Sequence, residues 1–292
     1  MLAWWRGLPR QKRVRAGGWA AFIAGLTLAF ASPLSALLAL AAGNDLNSYT
    51  PVIPLVSAYL LYVRDGRVLG PYRSSVAGTI SLTAVGLAVV AAWAVWREAL
   101  SANDQLTLLV LAYVLFIAAG GFLFLGSAWM RSAAFPMAFL LFMVTLPDAA
   151  VYWIERGLVL ASADASAFLF NVTGTPMYRE GTILALPGIV LEVAQECSGI
   201  RSTWILFITS LLASKLFLHS PWRRVLLVAF IIPLGIVRNG FRILTIGLLC
   251  VHVGPHMIDS VIHHRGGPIF FALSLIPLFL LLVWLRRGDR AS

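Results

Sequence analysis

Apolar runs long enough to cross about 30 Å of hydrocarbon recur from residue 17 to residue 285, and the polar stretches between them are too short to hold a soluble domain. The pattern predicts helices spanning a membrane near residues 17–42, 50–63, 75–96, 106–128, 133–146, 200–218, 225–251 and 268–285, about eight in all. The stretches 50–63 and 133–146 are short for spanning helices and contain proline, so each is expected either to be re-entrant or to extend into its flanks. The stretch 149–170 is apolar enough to suggest a ninth span but carries Glu155, Arg156 and Asp164. It is expected instead as a helix at or near the outer interface, packed partly on the bundle.

Beyond Asn171 the pattern changes to turn residues, with Gly174, Pro176 and Gly181 leading into two short apolar runs, 182–186 and 189–193, on either side of Pro187-Gly188. Proline suits the second position of a type II turn and glycine the third, so two short strands about that turn are expected, supported by the bundle. They deliver Glu196 and Cys197 to the start of the next helix. The fold class expected is therefore all-α: a polytopic membrane helix bundle, one domain over residues 1–292, with a small irregular or β-hairpin element before Cys197.

Composition strengthens this reading. The chain is 60% hydrophobic and 12% charged, with a mean hydropathy of +0.88, far from the balance of a soluble domain. A formal net charge of +10 raises nucleic acid as a partner, but the basic residues sit in short clusters between apolar runs rather than along one stripe, so no nucleic acid is expected. The clusters instead report orientation. Arg6, Arg10, Lys12, Arg13 and Arg15 precede the first span and place the N-terminus in the cytoplasm. Alternating sides then gathers Arg64, Arg67, Arg73, Arg131, Lys215, Arg223, Arg224, Arg286, Arg287 and Arg290 on the same face, with both termini inside. The opposite face receives the loops around Asp45, Asp104, 148–199 and 252–267. The first span resembles a signal peptide in its basic leader, but its apolar core exceeds the roughly 15 residues of a cleaved signal, so an uncleaved anchor is expected. The sequence has no internal repeat and no glycine-rich phosphate loop, and nucleotide-driven work is not suggested.

The side chains able to do chemistry collect on the outer face. Cys197 lies in Glu-Cys-Ser-Gly-Ile-Arg-Ser, where Ser198 and Gly199 can cap the helix that follows. Unpaired N–H groups at a helix N-terminus, together with Arg201, favour thiolate, the form that attacks carbonyls. A small buried cysteine in a turn is the competing reading. The span 225–251 contains Arg238-Asn239-Gly240-Phe241-Arg242, and charges inside a membrane cost several kcal/mol unless paired or hydrated. Arg242 either reaches an outward-opening polar cavity or bonds structurally to carbonyls, Glu192 or Glu196. The last outer loop holds His252, His256, Asp259, His263 and His264, and neutral imidazole near pH 7 can accept a thiol proton. His252 and His256 have the spacing of a metal pair, but Pro255 interrupts a regular helix between them, and neither metal nor cofactor is expected. The second cysteine, Cys250, lies among apolar neighbours and is expected as a buried, unpaired thiol.

These residues, in this order, resemble the exosortase/archaeosortase family of membrane-embedded cysteine transpeptidases. Glu-Cys-Ser-Gly-Ile-Arg-Ser at 196–202 is similar to the family's cysteine motif, Asn-Gly-Phe-Arg at 239–242 to its arginine motif, and His263, four residues before Gly267, to its histidine motif. Weaker similarity covers 48–63, 135–147 and 174–193. The resemblance implies Cys197 as nucleophile, with Arg242 and His263 completing the site. Arg238 and His264 compete with them or support them, together with Arg201 and Asn239. It also implies the partners: exported proteins whose C-terminal sorting signal combines a short motif, a transmembrane helix and a basic cluster, and a cell-surface glycan or lipid as acceptor, all within membrane lipid. The rival reading is a transporter or export scaffold for an anionic or lipid-linked surface glycan, in which the arginines and histidines hold the anion.

Overall fold

The run 17–42 does not fold as one straight helix. In the computed structural model, which describes residues 10–43, 45–63, 72–73, 75–193, 198–260 and 266–291, it forms α1 (Arg10–Ala29) and α2 (Ala31–Gly43), bent by 74°. Pro33 accounts for the bend: it has no N–H for the Ala29 carbonyl, and its ring crowds that oxygen. The chain divides into two units, Met1–Asp148 and Ala149–Ser292.

In the first unit α3 (Val52–Val63) is a 12-residue apolar helix, whose buried Ser57 donates to the Pro136 carbonyl at 2.8 Å. The next two helices, α4 (Val76–Trp96) and α5 (Ala102–Phe124), each open on a serine cap. Ser75 Oγ accepts from the Gly78 N–H and Ser101 Oγ from that of Asp104. After α5, Gly126 turns the chain at φ 85, and a Cβ there would lie 2.8 Å from the Arg73 carbonyl oxygen. The chain then retraces α5 in pieces: α6 (Ser127–Ser132), α7 (Ala134–Phe139) and a 3-10 turn, Leu140–Met143. Met130 packs at Gly121 near one end of α5, and Thr145 shares a 2.7 Å hydroxyl bond with Thr107 near the other. At 1.5 Å per residue, those two contacts lie about 21 Å apart along α5. The expected run 133–146 is thus a broken segment rather than one helix, since Pro136 cannot donate to the Ser132 carbonyl and the chain breaks at Ala133.

The second unit opens with α8 (Asp148–Val172), a continuous helix with Val159, Ser162, Ala163, Ser166 and Phe170 buried along one face. A three-stranded antiparallel sheet follows, β1 (Tyr178–Glu180), β2 (Ile183–Leu186) and β3 (Ile189–Glu192), in the order β1-β2-β3. Leu186 pairs with Ile189 across Pro187-Gly188, and Gly188 takes φ 80, the positive value the expected turn requires. β1 is an addition to the expected hairpin; Arg179 fastens it through an ion pair with Asp164 of α8. Alternation sends Leu184, Leu186, Leu191 and Val193 into a core with Val159, Ala163, Phe170, Ile243 and Leu244, while Ile183 and Val190 stay exposed.

Three more helices complete this unit. They are α9 (Ile200–Phe217); α10 (Pro221–Ala229), which leads into α11 (Ile231–His252); and α12 (Gly267–Ala291). Leu206, Leu218, Leu227, Ile231, Leu234, Leu278, Leu282 and Leu285 form their shared core. Among the described residues, five helices are long and apolar enough to cross a membrane: Val76–Trp96, Ala102–Phe124, Ile200–Phe217, Pro221–His252 and Gly267–Asp289. The number rises to seven if α1 with α2, and Ala134–Met143 with α8, each count as one span. The protein is therefore mostly helical and multi-pass, and the expected eight spans resolve into five continuous ones plus bent, broken or short segments. Arg64 and Arg67, two of the expected inside charges, lie outside the described residues.

Candidate functional site

The start of α9 gathers several polar contacts of the second unit. Ser198 is buried, and its Oγ accepts from the Ile200 N–H at 3.4 Å. Gly199 is the N-cap residue at φ 70, ψ 14, a left-handed conformation that glycine adopts without strain. Its carbonyl accepts the first helical bond, from the Thr203 N–H at 3.0 Å, and a second from Arg238 Nη2 at 3.2 Å. The same Nη2 lies 3.4 Å from Thr203 Oγ1, one turn along. Arg238 therefore ties the first turn of α9 to α11.

Small residues make that approach possible. A Cβ on Gly199 would lie 2.7 Å from Arg238 Nη2, and one on Gly235 would lie 2.7 Å from Thr203 Oγ1. Gly199 stands opposite Arg238 and Asn239, and Thr203 opposite Gly235, so α9 and α11 run antiparallel at close range. On the other side of α11, Asn239 Nδ2 donates to Ser162 Oγ at 3.0 Å, with both residues buried. Ser166 Oγ donates onward to the Ser162 carbonyl at 2.7 Å, and a Cβ on Gly240 would meet Ala165 at 2.9 Å. An amide between Ser162 and the α9 cap thus joins three helices.

Arg242 is half-buried one turn beyond Arg238 and shares its face of α11. Two guanidinium groups at i, i+4, beside the positive end of α9, concentrate positive charge where an anion would be stabilised. Arg238 Nη1 is buried without a hydrogen-bond partner among the described residues. Arg238 bonds to the Gly199 carbonyl, the kind of structural contact expected as one alternative for Arg242. Glu192 is exposed at the end of β3, and Arg201 is exposed in the first turn of α9.

Cys197, His263 and His264, with Glu196, lie outside the described residues. His252 ends α11 and His256 sits in the 3-10 turn Pro255–Asp259, beyond Gly254 at φ 145, so the two do not occupy successive turns of one helix. Cys250 is a free thiol, 3% exposed, inside α11. Ser162 and Thr203 were not among the expected site residues. Neither stands in a motif, and the Ser162–Asn239 bond joins positions 77 residues apart.

Helices long enough to cross a membrane, a small sheet packed on them and two arginines within a candidate span define a multi-pass membrane protein with a cationic polar centre. The model of the transmembrane exosortase family (Exosortase_EpsH) matches residues 41–280, and the chain belongs to that family. Membership implies a transpeptidase that processes sorting signals. No curated protein and no solved structure matches the chain.

Proposed function

We propose that the protein is a membrane-embedded cysteine endopeptidase and transpeptidase. It cuts the C-terminal sorting signal of exported proteins and passes them to a cell-surface acceptor, with its reactive groups facing away from the cytoplasm. The observation carrying this reading is the Arg238 bond to the Gly199 carbonyl, inside the family match. Cys197 precedes Gly199 by two residues, so covalent geometry keeps their Cα atoms within about 7 Å. Positive charge there favours thiolate over thiol.

In the proposed reaction the Cys197 thiolate attacks the scissile carbonyl carbon, and Arg242 stabilises the oxyanion that forms. The intermediate collapses as the C–N bond breaks, and His263 imidazolium gives its proton to the departing amine, leaving a thioester. His263, now neutral, takes a proton from an acceptor nucleophile or water, which attacks the thioester and releases the thiolate. The substrate's transmembrane helix docks within the bilayer and fixes the bond to be cut.

The test is co-expression with a tagged protein bearing such a tail. Cys197→Ala is expected to abolish the mass shift of the processed product while the enzyme still accumulates in the membrane. Processing that persists in Cys197→Ala overturns the proposal and favours the transporter or export-scaffold reading.

A further inference from the structure

We infer that Arg238 is a positioning residue for the nucleophile and does not share the charge-stabilising task of Arg242; the inference rests on Cys197 being that nucleophile. One Nη2 group is engaged by two acceptors at once, the Gly199 carbonyl at 3.2 Å and Thr203 Oγ1 at 3.4 Å. Those acceptors belong to the cap and first turn of α9, the rigid element that begins immediately after Cys197-Ser198. Gly199 has no freedom to drift from this contact without losing it, because the absent Cβ is what lets the guanidinium come so near. Below Arg238 the next residue, Asn239, is fixed in turn by Ser162. Asn239 thus ties α11 to α8, while the Arg238 guanidinium ties α11 to the first turn of α9.

A lysine at 238 keeps the charge but lacks the planar, pre-organised group that sets Nη2 between carbonyl and hydroxyl. Glutamine loses the charge and most of the reach. Thr203→Val removes one of the two acceptors at nearly constant volume and leaves Arg238 in place. A group that stabilises charge in the transition state would be served by lysine in part. A group that fixes geometry would not be.

The experiment uses the full chain in detergent, in a Cys250→Ala background that leaves Cys197 as the one cysteine. Three quantities are read for Arg238→Lys, Arg238→Gln and Thr203→Val: the rate of Cys197 alkylation by iodoacetamide, the kcat and KM for cleavage of a tailed substrate, and the thermal midpoint. Misplacing a reacting atom by 1 Å costs up to about 100-fold in rate, so both Arg238 variants are expected to lose about 10- to 100-fold in kcat, with KM within about twofold. Alkylation slows in both, and Thr203→Val shows a smaller loss of the same kind. Wild-type alkylation and kcat in Arg238→Gln overturn the inference, as does full rescue by Arg238→Lys. Should Arg238→Gln fail to accumulate, Thr203→Val decides: a normal alkylation rate and kcat there also overturn it. Alkylation needs no substrate, so it judges Arg238 even if Cys197→Ala shows that the proposed reaction is wrong.

Discussion

Two arginines of the second unit are held in opposite ways. Arg223, in α10, meets a carboxylate: its Nη1 donates to Asp289 Oδ1 at 2.8 Å, and the Asp289 side chain is 3% exposed. Asp289 also accepts from the backbone N–H groups of His219 and Ser220 and from the Ser220 hydroxyl. Those groups precede Pro221, so the carboxylate caps α10 from α12 and meets the positive end of its dipole. Arg238 has only neutral acceptors among the described residues, a carbonyl and a hydroxyl, and keeps one buried donor unspent. A charge engaged solely in holding a fold is normally neutralised, because an uncompensated ion in a poorly solvated place is costly. The Asp289 cluster has that character. Arg238 instead sets its Nη2 between two neutral acceptors at the α9 cap, where it fixes the approach of α9 to α11.

Asp289→Ala gives the largest expected effect on stability. It removes the carboxylate that Arg223 meets, uncaps α10 and frees α12 from that helix, so the thermal midpoint in detergent falls further than it does for Gly199→Ala or Asn239→Ala. Cleavage per folded molecule stays near wild type, because no group at the Arg238 centre is touched. A variant that unfolds normally but cleaves poorly would erase the distinction between the two clusters.

Much of this was open to reading in the residues themselves, and the failures have local causes. The apolar runs gave the continuous spans α4, α5, α9 and α12 because hydrocarbon thickness sets a minimum length. Pro187-Gly188 marked the hairpin because a proline and a positive-φ glycine suit only a few turns. Pro33 lay inside an apolar run, where composition outvoted backbone geometry, and the 74° bend went unforeseen. β1 was missed because Tyr178-Arg179-Glu180 has no apolar alternation and depends on β2 and on Asp164. At the centre, Arg238, Asn239 and Arg242 announced themselves as polar residues within a span. The partners of the first two did not: Gly199 is 39 positions from Arg238, and Ser162 is one serine of many.

Gly199→Ala sharpens the comparison at the α9 cap. Alanine in the left-handed region costs about 1–2 kcal/mol, and its Cβ would lie 2.7 Å from Arg238 Nη2, so the guanidinium must yield. The thermal midpoint should fall modestly, while the rate of Cys197 alkylation changes in the direction expected for Arg238→Gln. A fall in stability with unchanged alkylation would separate the cap from the nucleophile.

The smallest effect is expected at Asn239→Ala, and it tests how firmly the centre is anchored from α8. The change deletes the buried bond to Ser162 Oγ and leaves that oxygen to find another donor. Ser162 already receives a bond at its carbonyl from Ser166, so the α8 backbone need not move. Polar bonds between helices in membranes are worth about 0.6 kcal/mol on average, and up to roughly 2. The loss should therefore lie in that range by reversible unfolding, with Arg238 still bonded to Gly199 and alkylation only slightly slower. If Asn239→Ala instead matched Arg238→Gln in alkylation and in kcat, the orienting contact would run through α8 rather than through the Gly199 carbonyl. The Arg238 centre would then be held, like the Asp289 cluster, by a single neighbouring helix.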